Sequence, residues 1–134
     1  NCGAALPRLK LSKITERPAY AKQAEQTPRL SGQRLQAQPQ AVPYLLAALD
    51  FFLEEPFRAA IAGEPAKAET RALVLAAHSV YQPNKVVLGN TGAVEPFAKT
   101  LGLLDGKPAV YLCTGKQCQL PTSDPAKLKQ MLIK

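Results

Sequence analysis

Cys113 and Cys118 are the residues best suited to chemistry in this 134-residue chain. They enclose Thr114-Gly115-Lys116-Gln117, four residues rather than the two of a thioredoxin-type motif. Gly115 permits a sharp turn, and disulfide formation needs Cα atoms within about 7 Å. Lys116 would favour the thiolate, the reactive form of a cysteine. A thiol redox module is therefore one reading. The plainer one is packing, because unpaired cysteines commonly behave as small buried hydrophobes. Two cysteines do not complete a tetrahedral zinc site, His78 falls inside a helical stretch elsewhere, and a third ligand from Cys2 would depend on the fold. No metal and no cofactor is expected.

Three glycine-bearing loops form a second candidate: Gly63-Glu64, Gly89-Asn90-Thr91-Gly92 and Thr114-Gly115-Lys116. If all three follow parallel strands they meet at the strand C-terminal edge, where α/β sheets present ligands. Helix N-termini there, with Lys116 nearby, would suit a small anionic ligand. None is a nucleotide fingerprint. Gly89-Asn90-Thr91-Gly92 lacks G-x-G-x-x-G spacing, and Thr114-Gly115-Lys116 lacks the upstream glycine of a P-loop. The plain alternative is that these glycines permit tight turns.

The remaining polar residues point away from catalysis. His78, the single histidine, has only Ser79 beside it, on a different side of a helix, and nucleophile and base must lie within hydrogen-bond reach. Glu54 and Glu55 are adjacent, so their side chains diverge and solvate a helix end. Asp50 sits on an apolar helix, where a buried carboxylate wants a partner such as Arg58 or a lysine of the second half. No catalytic residue emerges, and the chain alone reads as a non-enzyme.

Two grammars position these residues. Residues 1–55 contain no convincing strand. A first helix is expected from Ala4 or Ala5 to about Lys13, with Pro7 tolerated only in its first turn. A second starts at Pro18 and should kink or end at Pro28. Ser31 to Arg34 reads as helix or turn, and 36–39 as a loop. From Gln40 to Leu53, Val42, Leu45, Leu46, Leu49, Phe52 and Leu53 make the strongest helical pattern, apolar around most of its circumference and so expected to be buried in a larger assembly. From residue 56 onward strands and helices alternate: strand 57–62, helix 66–81, strand 85–88, a short helix burying Val94, Phe97, Ala98 and Leu101, strand 108–113, and a last helix started by Asp124-Pro125. The fold class is α/β: N-terminal helices, then a three-stranded parallel βαβαβα unit with right-handed crossovers.

Composition narrows the function classes. Hydrophobic residues at 46% and charged residues at 20% describe a globular chain. No apolar run is long enough to span a bilayer, which needs about 20 residues. The +7 net charge divides as +2 up to Pro56 and +5 beyond it, with no basic stripe, no tryptophan and no aromatics interleaved with Lys or Arg. That pattern speaks against a nucleic-acid partner and for a solvated basic surface. No secretory signal is visible, so a cytoplasmic home is expected. The start at Asn1 rather than Met fits a piece of a longer protein.

The motif order carries a resemblance. Ala47-Ala48-Leu49-Asp50-Phe51-Phe52-Leu53, Ala60-Ile61-Ala62-Gly63-Glu64-Pro65, Pro83-Asn84-Lys85-Val86-Val87-Leu88, Ala109-Val110-Tyr111-Leu112-Cys113 and Cys118-Gln119-Leu120-Pro121-Thr122-Ser123-Asp124-Pro125 resemble the C-terminal region of thioredoxin-domain proteins related to spermatogenesis-associated protein and its bacterial counterparts. The likeness is patchy over 1–39 and fairly continuous over 41–128. It implies that residues 1–55 are the closing helices of a toroid similar to six-hairpin glycosidases, and 56–134 a small α/β C-terminal domain. The family's C-x-x-C is absent here. The expected function is then that of a non-catalytic C-terminal segment, structural or partner-binding. Its partner would be the rest of the parent chain, a partner subunit or a second copy.

Overall fold

The computed structural model describes residues 2–133, without the side chains of Cys2, Thr27, Pro28 and Leu30. The expectations placed on Asn1, on Lys134 and on the Cys2 thiol lie outside the described residues. The chain forms two compact units that divide between Glu55 and Pro56.

The first unit is helical. After a short 3-10 turn over Cys2–Ala4 come α1 (Ala5–Thr15), α2 (Pro18–Leu30), α3 (Gly32–Ala37), a 3-10 turn (Pro39–Ala41) and α4 (Pro43–Leu53). Pro7 lies in the first turn of α1, where its missing N–H removes no helical bond. Glu16 ends α1 in the left-handed conformation (φ 53°), and its N–H donates to Ser12 O. α2 runs through Pro28 rather than stopping there. The proline falls in the last turn, so its missing donor touches only the end of the helix. Residues 39–41 make a separate 3-10 turn, so the helix expected from Gln40 begins at Pro43. Ala5 and Leu9 of α1, Ala24 of α2, and Leu45, Ala48 and Phe51 of α4 are buried. Leu46, Phe52 and Leu53 stay exposed, so within this chain α4 keeps a second apolar side uncovered.

The second unit is a four-stranded sheet with helices on both faces. Its elements are β1 (Phe57–Ala62), α5 (Ala68–Ser79), β2 (Lys85–Gly89), α6 (Pro96–Thr100), β3 (Ala109–Thr114), β4 (Gln117–Cys118) and α7 (Pro125–Leu132). The strand order is β2-β1-β3-β4. β1 and β2 pair in parallel, as a crossover through α5 requires. β3 pairs with β1 antiparallel, Phe57 opposite Thr114 and Ala62 opposite Ala109. The class is α/β, but the all-parallel three-stranded unit is corrected to a mixed sheet of four. The short α6 is followed by a tight turn at Asp105-Gly106, and the chain enters β3 from the end of the sheet at which β1 finishes. β4 then folds back as a hairpin partner.

Alternation along β1 and β3 sorts the two faces. Phe57, Ala59 and Ile61 join Val110 and Leu112 in a core closed by Leu73, Ala76 and Ala77 of α5 and Leu128 and Leu132 of α7. Arg58, Ala60 and Ala62 point to the opposite face, with Cys113 directly across from Arg58. Ala98 of α6 is fully buried, whereas Phe97, expected inside, is about half exposed. On the core face Lys85 reaches the end of α5, where its Nζ donates to Ala77 O and, at 2.6 Å, to Val80 O. A cation there satisfies carbonyls that have no helical partner. Lys85→Met should therefore destabilise the second unit by about 1–2 kcal/mol, read as a lower urea midpoint at unchanged slope; an unchanged midpoint would show the cap to be dispensable.

Candidate thiol–disulfide site

β3 and β4 are joined at Thr114-Gly115-Lys116, with Gly115 at φ 57°, a left-handed conformation that a Cβ would disfavour. The hairpin places Cys113 opposite Cys118, and the two form a disulfide with Cα atoms 3.9 Å apart. Beyond it, Gln119 N–H donates to Leu112 O at 2.9 Å and continues the ladder. The two residues differ in environment: Cys113 is 2% exposed, while Cys118 lies at the surface. A loop this short removes only roughly 2 kcal/mol of chain entropy from the unfolded state. Both cysteines are consumed by the bond, and among the described residues no three His, Cys, Asp or Glu side chains converge as a metal site would require.

Beneath the hairpin lies an ion pair that the sequence did not announce. Arg58 Nη1 donates to Glu95 Oε2 at 2.7 Å, and Nη2 donates to Gly115 O at 2.9 Å. The side chains are 17% and 3% exposed. One guanidinium thus ties strand β1, the start of α6 and the hairpin turn together. No local signal could have found it, because Arg58 is 37 residues from Glu95 and 57 from Gly115.

The three-loop anion site is not assembled. Gly63-Glu64 and Asn90-Thr91-Gly92 follow β1 and β2 at one end of the sheet, but the reversal of β3 carries Thr114-Gly115-Lys116 to the other end, beside Phe57. Asn90 is engaged as a loop brace, its Nδ2 donating to Leu101 O. Thr91, Gly92 and Lys116 are exposed. Gly63 serves close packing: at φ 157°, a Cβ on it would stand 2.7 Å from Thr70 Oγ1 and 2.8 Å from Pro108 Cβ. The Thr70 hydroxyl is buried without a hydrogen-bond partner among the described residues, so this loop is closed by packing. His78 is exposed on α5. Asp50 is exposed on α4, which removes the burial argument for a tether to Arg58 or a lysine. Glu54 and Glu55 are exposed at the end of α4, as expected of a solvated helix end.

Two stability outcomes follow from this geometry. Arg58→Met leaves the Glu95 carboxylate buried and should cost about 3 kcal/mol, whereas Arg58→Met with Glu95→Met should recover most of it; urea unfolding of the four-member cycle measures the coupling, and additive losses would show that the pair does not act as a unit. Gly63→Ala should cost about 2–3 kcal/mol through the two close contacts, which the same unfolding assay would register; a loss below about 0.5 kcal/mol would mean that Thr70 and Pro108 yield freely.

No family model matches the chain, and no solved structure matches it. Curated relatives do. Spermatogenesis-associated protein 20 of Homo sapiens is 32% identical over 107 residues, which cover 75% of this chain and 14% of that protein. The Rattus norvegicus and Mus musculus proteins of the same name are 29% and 28% identical over the same length and shares. The chain spans only 14% of the length of these relatives. It is homologous to the C-terminal part of spermatogenesis-associated protein 20.

Proposed function

We propose that this chain is the C-terminal segment of a larger thioredoxin-domain protein, where its role is structural and partner-binding rather than catalytic. The observation that carries the reading is the similarity itself: it takes in 75% of this chain and 14% of the relatives, so their remaining length is available to carry an active site. In this reading residues 1–55 supply the closing helices of a toroid, and 56–134 form the α/β end. The turn after β1, where a reactive C-x-x-C would meet a helix N-terminus, reads Gly63-Glu64-Pro65-Ala66-Lys67 and contains no cysteine. That supports a scaffold role for this unit.

The docking surface for the rest of the parent chain lies on α4. Leu46 and Phe52 are 40% and 47% exposed, and Phe52 also lines an apolar groove of about 250 Å³ with Leu9, Ala24, Leu35 and Leu49. Leu46→Glu with Phe52→Glu tests this in two settings. In the isolated chain, where both are already exposed, stability should change by no more than about 0.5 kcal/mol per site. In the full-length parent the same pair should lower the melting temperature by several degrees, and an unshifted parent would exclude this face as the contact.

A thiol-redox role is the second reading, favoured by the closed Cys113–Cys118 bond. In a reducing compartment a disulfide is usually transient and tied to catalysis or redox sensing. Thiol titration of the chain with and without reductant tests it: two thiols that never pair would remove this role.

A further inference from the structure

We propose that the 113–118 hairpin is a polarised thiol–disulfide exchange site, in which Cys118 Sγ takes the attack of an external dithiol and Cys113 Sγ departs. The proposal rests on the thiol-redox reading above and adds to it the direction of exchange and the class of co-reactant. Three observations carry it. First, the two residues are unequal in exposure, because Cys118 is exposed and Cys113 is buried at 2%. Exchange requires the incoming thiolate to reach the sulfur it attacks, so Cys118 is the entry point. Second, Cys113 stands directly opposite Arg58 in the β1–β3 ladder, on the same face of the sheet. Exchange proceeds faster when the leaving sulfur carries charge more readily, and a cationic side chain borne by the facing position of the next strand favours that charge. Third, the hairpin is held by bonds other than the disulfide: Arg58 Nη2 to Gly115 O, and Gln119 N–H to Leu112 O. The bond can therefore open and close on a turn that stays in place.

The step balances with a dithiol reductant. Its first thiolate forms a bond to Cys118 Sγ as the Cys113–Cys118 bond breaks, and the bonding pair leaves on Cys113 Sγ. The second thiolate of the reductant then attacks the reductant's own sulfur in the mixed disulfide, closing a new disulfide and releasing Cys118 as thiolate. Two protons pass from the dithiol, through solvent, to the two protein sulfurs. The protein disulfide is reduced by two electrons and the dithiol is oxidised by two.

The test uses a monothiol, glutathione, to arrest the reaction after its first step. The oxidised chain is mixed briefly with glutathione, quenched in acid, alkylated and digested with trypsin. Cleavage after Lys116 puts Cys113 and Cys118 on separate peptides, and cleavage after Arg8 separates Cys2. The Cys118 peptide should carry at least tenfold more glutathione than the Cys113 peptide. Equal or reversed labelling would overturn the direction of exchange while leaving the disulfide itself intact. Alkylation at both Cys113 and Cys118 in the oxidised chain, before any glutathione, would instead remove the thiol-redox reading on which the proposal rests. Glu95→Gln tests the part given to Arg58. It keeps an oxygen acceptor for Nη1 but removes the neutralising charge, so exchange should speed up at least threefold in a chain whose circular dichroism is unchanged. An equal or slower rate would take Arg58 out of the mechanism.

Discussion

A charged pair set into an apolar sheet face constrains much of the α/β unit. Arg58 projects from β1 between Val86 on β2 and Cys113 on β3, its partners in the sheet register. A guanidinium in that position demands acceptors, because a buried charge without them costs several kcal/mol. Glu95 supplies one at the entrance to α6, and the Gly115 carbonyl supplies another at the tip of the β3–β4 hairpin. Meeting that demand brings the segment after β2 back across the face and holds the hairpin turn down on it. Replacing one partner exposes the cost of the other, while replacing both by apolar groups removes the demand. The pair thus confers definition of place more than net stability.

The direction of β3 has the largest functional consequence. A parallel third strand would have gathered three glycine loops at one edge and made a plausible anion site. The antiparallel strand separates them, leaving packing and turn roles at one end and a disulfide hairpin at the other. Strand sense is not encoded within Ala109–Thr114, whose apolar run suits either direction. It depends on the connection. The α6 segment and the turn at Asp105-Gly106 return the chain to the edge where β1 finishes, and from there a strand must run back.

The helical unit shows how far proline punctuation can be read. Pro18 opens α2, Pro43 opens α4, and Pro39 opens the 3-10 turn before it. Each exploits a position whose N–H has no helical acceptor. Pro7 fits the same rule in the first turn of α1. Pro28 does not, and α2 continues through it to Leu30 because only the last turn is affected. The pattern read over α4 took in Leu45, Leu46, Leu49, Phe52 and Leu53, but neither Ala48 nor Phe51, and it did not say which residues would be covered. Leu45, Ala48 and Phe51 are buried while Leu46 and Phe52 face solvent. Which stripe of an all-round apolar helix is covered depends on the neighbours that pack against it, not on the helix's own period.

The sequence by itself determined the α/β class, the approximate bounds of nearly every helix and strand, and the cysteine pair as the feature most capable of chemistry. These are local matters: apolar period, N-terminal prolines, turn glycines and the reach of two nearby residues are all written within a few positions of one another. Only the tertiary structure decided the strand sense, the fourth strand, the pairing of Arg58 with Glu95, the closed bond between Cys113 and Cys118, and the unequal exposure of those two residues. Each depends on segments tens of residues apart meeting in space. Burial and charge compensation are properties of that meeting, and no short stretch of chain contains them.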